Sequence, residues 1–120
     1  MYDHIGFKVH DLAKSVRFYT AALQPLGHVL GSNDSTYAGF GPSGAPALWL
    51  YAAKETKSPG VHIAFQADNR AAVDRFYKSG IEHGGKDNGQ PGLRADYSPT
   101  YYAAFLIDPD GNNVEAVCMK

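Results

Sequence analysis

Two histidines and one glutamate stand out because the residues around them turn all three away from a packed face. His4 precedes Ile5, Phe7 and Val9, which alternate with Gly6 and Lys8. His62 stands in the same way before Ile63, Phe65 and Ala67, and Glu115 alternates with Val114 and Ala116. On a strand, alternation sends neighbouring side chains to opposite faces, so His4, His62 and Glu115 each leave the apolar side. Imidazole and carboxylate together suit divalent iron, manganese, nickel or zinc. Three such ligands leave positions open for substrate oxygens or water. The chemistry would be Lewis-acid activation of an oxygen, with Glu115 as the ligand that also moves a proton. Taken singly, each residue has an ordinary explanation as an exposed or hydrogen-bonded strand residue. Their joint placement is what points to a metal. His10, His28 and His83 lack such support and read as surface residues.

The joint placement comes from an internal repeat. At a constant offset of 58, His4-Ile5-Gly6-Phe7 meets His62-Ile63-Ala64-Phe65, and Ala13, Arg17, Phe18 and Tyr19 meet Ala71, Arg75, Phe76 and Tyr77. Seven of the 16 positions from His4 to Tyr19 are identical, which a shared helical pattern alone would not produce. Two copies indicate a duplicated unit rather than a solenoid. The chain therefore reads as a single domain, 1–120, of two modules, 1–57 and 58–120.

The elements that must hold these residues follow the same order in both modules. Strands are expected over Tyr2–Val9 and Val61–Ala67. Asp11, and Asp68 or Asn69, are placed to cap the helices that follow. Leu12, Val16, Tyr19 and Leu23 recur at helical spacing, as do Ala72, Val73, Phe76 and Tyr77. Pro25 and Gly27 end the first helix, and Gly80 stands where a C-terminal cap of the second is expected. Short strands are expected near 27–32, 35–41 and 46–52, and near 81–86, 100–107 and 112–118. Gly41-Pro42-Ser43-Gly44 and Asp108-Pro109-Asp110-Gly111-Asn112 supply the last turns. The fold class is α+β: two βαβββ modules, each helix covering one face of its sheet, the other face curving around a pocket. Residues 84–99, rich in glycine and proline, read as a long loop of the kind that covers or binds a ligand.

Composition excludes several classes. With 11 basic and 12 acidic residues the net charge is -1, so the chain has no overall basic character of the kind that attracts nucleic acid. Apolar stretches are too short to span a bilayer. Met1-Tyr2-Asp3-His4 contains neither a basic segment nor an apolar signal core, and the one cysteine, Cys118, allows no disulfide within the chain. A cytoplasmic setting is the expectation, with Cys118 as a small buried hydrophobe.

Three segments carry a family resemblance: Asp3-His4-Ile5-Gly6-Phe7-Lys8-Val9 with Asp11-Leu12, Ser15, Phe18 and Tyr19; Val61-His62-Ile63-Ala64-Phe65; and Asp108-Pro109-Asp110-Gly111-Asn112-Asn113-Val114-Glu115. With the paired βαβββ order, the sequence resembles the vicinal oxygen chelate superfamily, which includes glyoxalase I, fosfomycin- and bleomycin-resistance proteins and extradiol dioxygenases. The resemblance implies a divalent metal held by His4, His62 and Glu115. In glyoxalase-like members a further Glu comes from the last strand of module one. Here Trp49 stands at that place, and Trp cannot coordinate a hard cation. Three ligands look more like the dioxygenase or thiol-transferase arrangement than glyoxalase I.

The resemblance also selects Tyr101, Ala103 and Phe105 as pocket residues, with Tyr101 donating a hydrogen bond near the metal. Trp49 and Tyr51 form a candidate aromatic wall. Tyr97 and Arg94 lie in the long loop, and Arg94 is the candidate for holding a substrate carboxylate or phosphate. Two functions follow as expectations. The first is a metal-dependent lyase, transferase or dioxygenase acting on a small molecule. The alternative is a non-catalytic drug- or aromatic-ligand-binding protein of the bleomycin-resistance type. Two-module relatives commonly form homodimers that build each site from both chains, which would bring His4 from one subunit to His62 and Glu115 of the other.

Overall fold

Asp11 and Asn69 start the two helices. Each has extended backbone, and each side chain accepts an amide from three residues on, Lys14 at 3.1 Å and Ala72 at 2.8 Å. The computed structural model describes residues 1–54 and 60–120. The expected module boundary at 57 and 58 lies outside the described residues. The first module runs β1 (Ile5–Val9), α1 (Leu12–Leu23), a 3₁₀ turn (Gln24–Leu26), β2 (Val29–Asn33), β3 (Tyr37–Gly41) and β4 (Leu48–Ala52). The second runs β5 (His62–Gln66), α2 (Arg70–Glu82), β6 (Lys86–Leu93), β7 (Tyr102–Ile107) and β8 (Asn113–Cys118). The fold is α+β, two βαβββ modules. Among the described residues no helix is long and apolar enough to cross a membrane.

The modules form two four-stranded sheets ordered β1-β4-β3-β2 and β5-β8-β7-β6, so β1 and β5 are both edge strands. In each sheet the first strand runs parallel to the last and the other pairs are antiparallel. Gly6 pairs with Trp49 across β1 and β4, and Ala64 pairs with Glu115 across β5 and β8. Gly6 and Ala64 are repeat partners, so Trp49 and Glu115 occupy equivalent rungs.

One core serves both modules. Phe18, Tyr19, Leu23, Phe40 and Leu50 join Val73, Phe76, Leu106 and Val114 in a single buried cluster. The helices pack against each other as well as against the sheets. The buried stripe of α1 is rotated from the expected positions: it buries Ser15, Phe18, Tyr19, Ala22 and Leu23, leaving Leu12 and Val16 only partly covered, whereas α2 buries Ala72, Val73 and Phe76 as expected.

The second helix runs past the glycine expected to end it. A Cβ on Gly80 would stand 2.2 Å from Leu106 Cδ1 and 3.3 Å from Phe18 Cε1. Gly80 therefore serves close approach of helix to sheet, and the helix continues to Glu82. The next strand is displaced accordingly. Residues 84–99, expected as a loop, contain the eight-residue β6, whose register with β7 shifts on both sides of Gly89. A short connection from Arg94 to Tyr101 remains, closed by its own backbone hydrogen bonds.

The Asp108–Asn112 turn is a clamp between modules. Asp108 accepts hydrogen bonds from the Tyr19 hydroxyl at 2.5 Å and from the Asn112 side chain at 2.9 Å. Asp110 accepts from the His10 amide at 2.7 Å and the Ser15 hydroxyl at 3.1 Å, while Asn112 Oδ1 accepts from the Val61 amide at 3.0 Å. The turn thus fixes the start of β8 against both α1 and β5. Burial and the Asp108 carboxylate push the Tyr19 phenol well above its ordinary pKa.

Candidate functional site

The helix-facing residues of the second sheet are Ile63, Phe65, Tyr102, Ala104, Leu106, Val114 and Ala116. Period-two alternation leaves His62, Tyr101, Phe105, Asn113 and Glu115 for the open face. Glu115 is 2% exposed. Its Oε1 lies 3.0 Å from His62 Nε2, and its Oε2 accepts a short hydrogen bond from the Tyr101 hydroxyl. His62 is half-exposed, and its Nδ1 meets the Asn113 carbonyl oxygen at 3.1 Å. That contact turns Nε2 toward Glu115, as an outer hydrogen bond orients a ligating imidazole. Burial, with the hydrogen bond and charge of Glu115, pushes the Tyr101 phenol up to about 12, so it remains a proton donor at neutral pH.

Phe105 connects this pair to the rest of the face. Its ring stacks on the His62 imidazole with centroids 6.4 Å apart, and Arg94 Cζ lies 5.3 Å from its centroid. Tyr97 is exposed and packs edge-on against Tyr101, 5.0 Å between centroids. Six of the expected site residues therefore gather in one place: His62, Glu115, Tyr101, Phe105, Arg94 and Tyr97.

The other three lie on the first sheet. His4 sits just before β1, exposed, with Nδ1 2.6 Å from Asp3 Oδ1. It lines an open cleft of about 630 Å³ with Trp49, Tyr51, Tyr37 and Pro46. Trp49 lies flat across Gly39, where a Cβ would stand 2.5 Å from the indole ring, and Tyr37 tilts against it at 6.1 Å. Among the described residues no group of three or more His, Cys, Asp or Glu is close enough to hold a metal. One chain thus brings His62 to Glu115 but leaves His4 on the other sheet.

The donor types nonetheless fit a divalent ion. In both histidines Nδ1 faces an oxygen, which leaves Nε2 as the nitrogen to ligate, and in His62 that nitrogen already faces the Glu115 carboxylate. His62 and Glu115 supply one imidazole and one carboxylate of the expected set, and His4 a second imidazole.

Two residues escaped the sequence reading. The Asn113 side-chain oxygen is shielded from solvent and has no hydrogen-bond partner among the described residues. It stands two residues before Glu115 on β8, so alternation alone placed it on the open face. His28, expected at the surface, has a shielded Nδ1 without a partner and lines an apolar cavity of about 210 Å³ with His4, Leu23, Phe40 and Phe65. Burial lowers its pKa. No local sequence signal marks that position, because the cavity is made where the two modules meet.

Comparison with known proteins gives a consistent picture. No curated protein matches the chain. Among solved structures, a glyoxalase/bleomycin resistance protein from Albidiferax ferrireducens T118 is 28% identical, with a TM-score of 0.84 and 98% of each chain covered. A glyoxalase/bleomycin resistance protein/dioxygenase family enzyme from Burkholderia phytofirmans PsJN shares the fold at 17% identity, TM-score 0.73, again over 98% of each chain. A glyoxalase-related enzyme from Fulvimarina pelagi does so at 15% identity and TM-score 0.73, covering 95% of this chain and 84% of its own. A family model matches residues 2–116, and the chain belongs to the Glyoxalase/Bleomycin resistance protein/Dioxygenase superfamily.

Proposed function

We propose that the protein is a metal-dependent enzyme acting on a small oxygen-bearing molecule, with His62 and Glu115 of one chain and the partner subunit's His4 holding a divalent ion. The observation that carries this reading is the contact of His62 Nε2 with the buried Glu115 carboxylate, with His62 Nδ1 already engaged by a backbone oxygen. A bound iron, manganese, zinc or nickel ion supplies Lewis-acid polarisation of a substrate oxygen. Glu115 accepts and returns a proton at Oε1 or Oε2. Tyr101 donates its hydroxyl hydrogen bond to that carboxylate, and Phe105 covers one face of the His62 ring. A homodimer is supported by two observations: the residues divide between two sheets, and the outer edges of β1 and β5 carry no strand partner among the described residues. Ile5 and Val61, at the starts of those edges, are exposed. Elemental analysis after dialysis against each of the four ions, with sedimentation, tests the reading. It expects a dimer with one ion per site, lost in His62→Ala. A strict monomer, or uptake unchanged in His62→Ala, overturns it.

A second reading has its own support in Trp49 spread over Gly39 beside Tyr37 and Tyr51. That wall suits an aromatic ligand held without chemistry, as in the bleomycin-resistance type. Saturable quenching of the single tryptophan with no turnover supports it. Unchanged fluorescence across a panel of aromatic ligands counts against it.

A further inference from the structure

Two polar groups beside the open face of the second sheet, Arg94 and Asn113, keep hydrogen-bonding capacity unused among the described residues. Arg94 is half-buried, and its guanidinium folds back over β6 onto Phe105. Its Nη2 donates to the Gln90 carbonyl at 2.7 Å, and among the described residues no carboxylate forms an ion pair with it. Two glycines make room for this pose. A Cβ on Gly92 would stand 3.2 Å from Arg94 Nη1, and one on Gly89 would stand 3.2 Å from Nη2. The second group is Asn113, whose shielded side-chain oxygen has no partner among the described residues. Arg94 and Asn113 line one open cleft of about 300 Å³ with Asn88, Gly89, Tyr97 and Phe105. Phe105 also stacks on His62, so the cleft adjoins the His62–Glu115 pair.

A guanidinium with free donors in a fixed fork matches a planar oxyanion. An amide presents its NH₂ or its oxygen to the same point by a half-turn about its last bond. A single cation, with the Glu115 carboxylate on the same face, favours one negative charge over two. We propose that Arg94 and Asn113 form a carboxylate subsite and that the substrate is a small monocarboxylic acid, anchored there with its reacting end at His62 and Glu115. Only the placement of the reacting end rests on the function proposed above.

The test uses the ¹⁵N-labelled full chain without added metal, titrated with pyruvate, benzoate, benzamide and inorganic phosphate, while the amide signals of Gly89, Gly92 and Phe105 are followed. Pyruvate and benzoate shift these signals saturably, and benzamide and phosphate bind about tenfold more weakly or worse. Arg94→Gln and Asn113→Ala each weaken benzoate by about tenfold. Gly92→Val keeps the arginine but displaces its guanidinium, and so gives the same loss if Arg94→Gln does not fold. Equal binding of benzoate and benzamide, a preference for phosphate, no saturable shift, or full binding by Gly92→Val overturns the subsite. Metal uptake measured on separate aliquots dialysed against the four ions separates the two ideas. Carboxylate binding without metal uptake sinks the metal reading alone, and metal uptake without carboxylate binding sinks the subsite alone.

Discussion

Tyr101, just before β7, is tied to Glu115 on β8 by a short hydrogen bond to Glu115 Oε2, while His62 faces the other carboxylate oxygen. A nearly buried carboxylate is thereby satisfied on both sides without a lysine or arginine. Tyr101→Phe removes a hydrogen bond to a charged acceptor and should cost about 1–2 kcal/mol. Urea unfolding of the two proteins measures it, and identical midpoints and slopes would show that the bond contributes nothing.

The turn clamp offers a second prediction. Tyr19→Phe leaves the buried Asp108 carboxylate without one donor and should destabilise by about 1–3 kcal/mol. Because the folded phenol titrates above its unfolded value, its contribution is fully present below about pH 10 and fades as pH rises toward the higher folded value. Wild type should therefore lose stability above that pH more steeply than Tyr19→Phe. Parallel alkaline denaturation curves would contradict this.

His28 gives the opposite dependence. Its folded pKa is lowered by burial, so the unfolded chain binds the proton more readily. Its neutral form is fully compatible with folding above about pH 6.5, and stability declines as pH falls below that value. Replacing it with leucine should flatten the fall in Tm between neutral and mildly acidic buffer. Asp3 and His4 line the same cavity and stay unchanged in the comparison. An equally steep fall in His28→Leu would assign the acid sensitivity elsewhere.

At Gly80 the issue is space. A methyl group there would meet Leu106 at 2.2 Å and press on Phe18, so Gly80→Ala should cost about 1–3 kcal/mol despite alanine's better helix propensity. Thermal unfolding decides the sign, and a gain in stability would mean that the helix shifts freely.

Much of this arrangement was legible in the sequence because strand alternation is a strict code. Ile5, Phe7, Ile63 and Phe65 announced their sheet faces, and Asp11 announced its helix. Gly80 misled because a glycine that stops a helix and one that lets a helix approach a sheet look the same in one dimension. The error moved the following strand from 81–86 to Lys86–Leu93. The repeat equated His4 with His62 correctly as positions. Equivalence within modules does not imply nearness, because the modules are placed by Phe18, Gly80 and the Tyr19–Asp108 bond. Asn113 was visible as an open-face residue, but an amide carries no spacing signal of its own. Its significance appears only when Arg94 is seen folded across β6.

The shared rung of Trp49 and Glu115 has an evolutionary consequence. Its neighbours Leu48, Leu50, Val114 and Ala116 carry the helix-facing packing. The rung itself faces the open side in both halves, so what stands there can change while the hydrophobic framework is kept. The two halves are scaffolds of one design, one carrying an acid at this rung and the other an indole. Such a position is where a lineage can exchange reactivity for molecular selectivity by a few codon changes, without first having to discover a new way to fold.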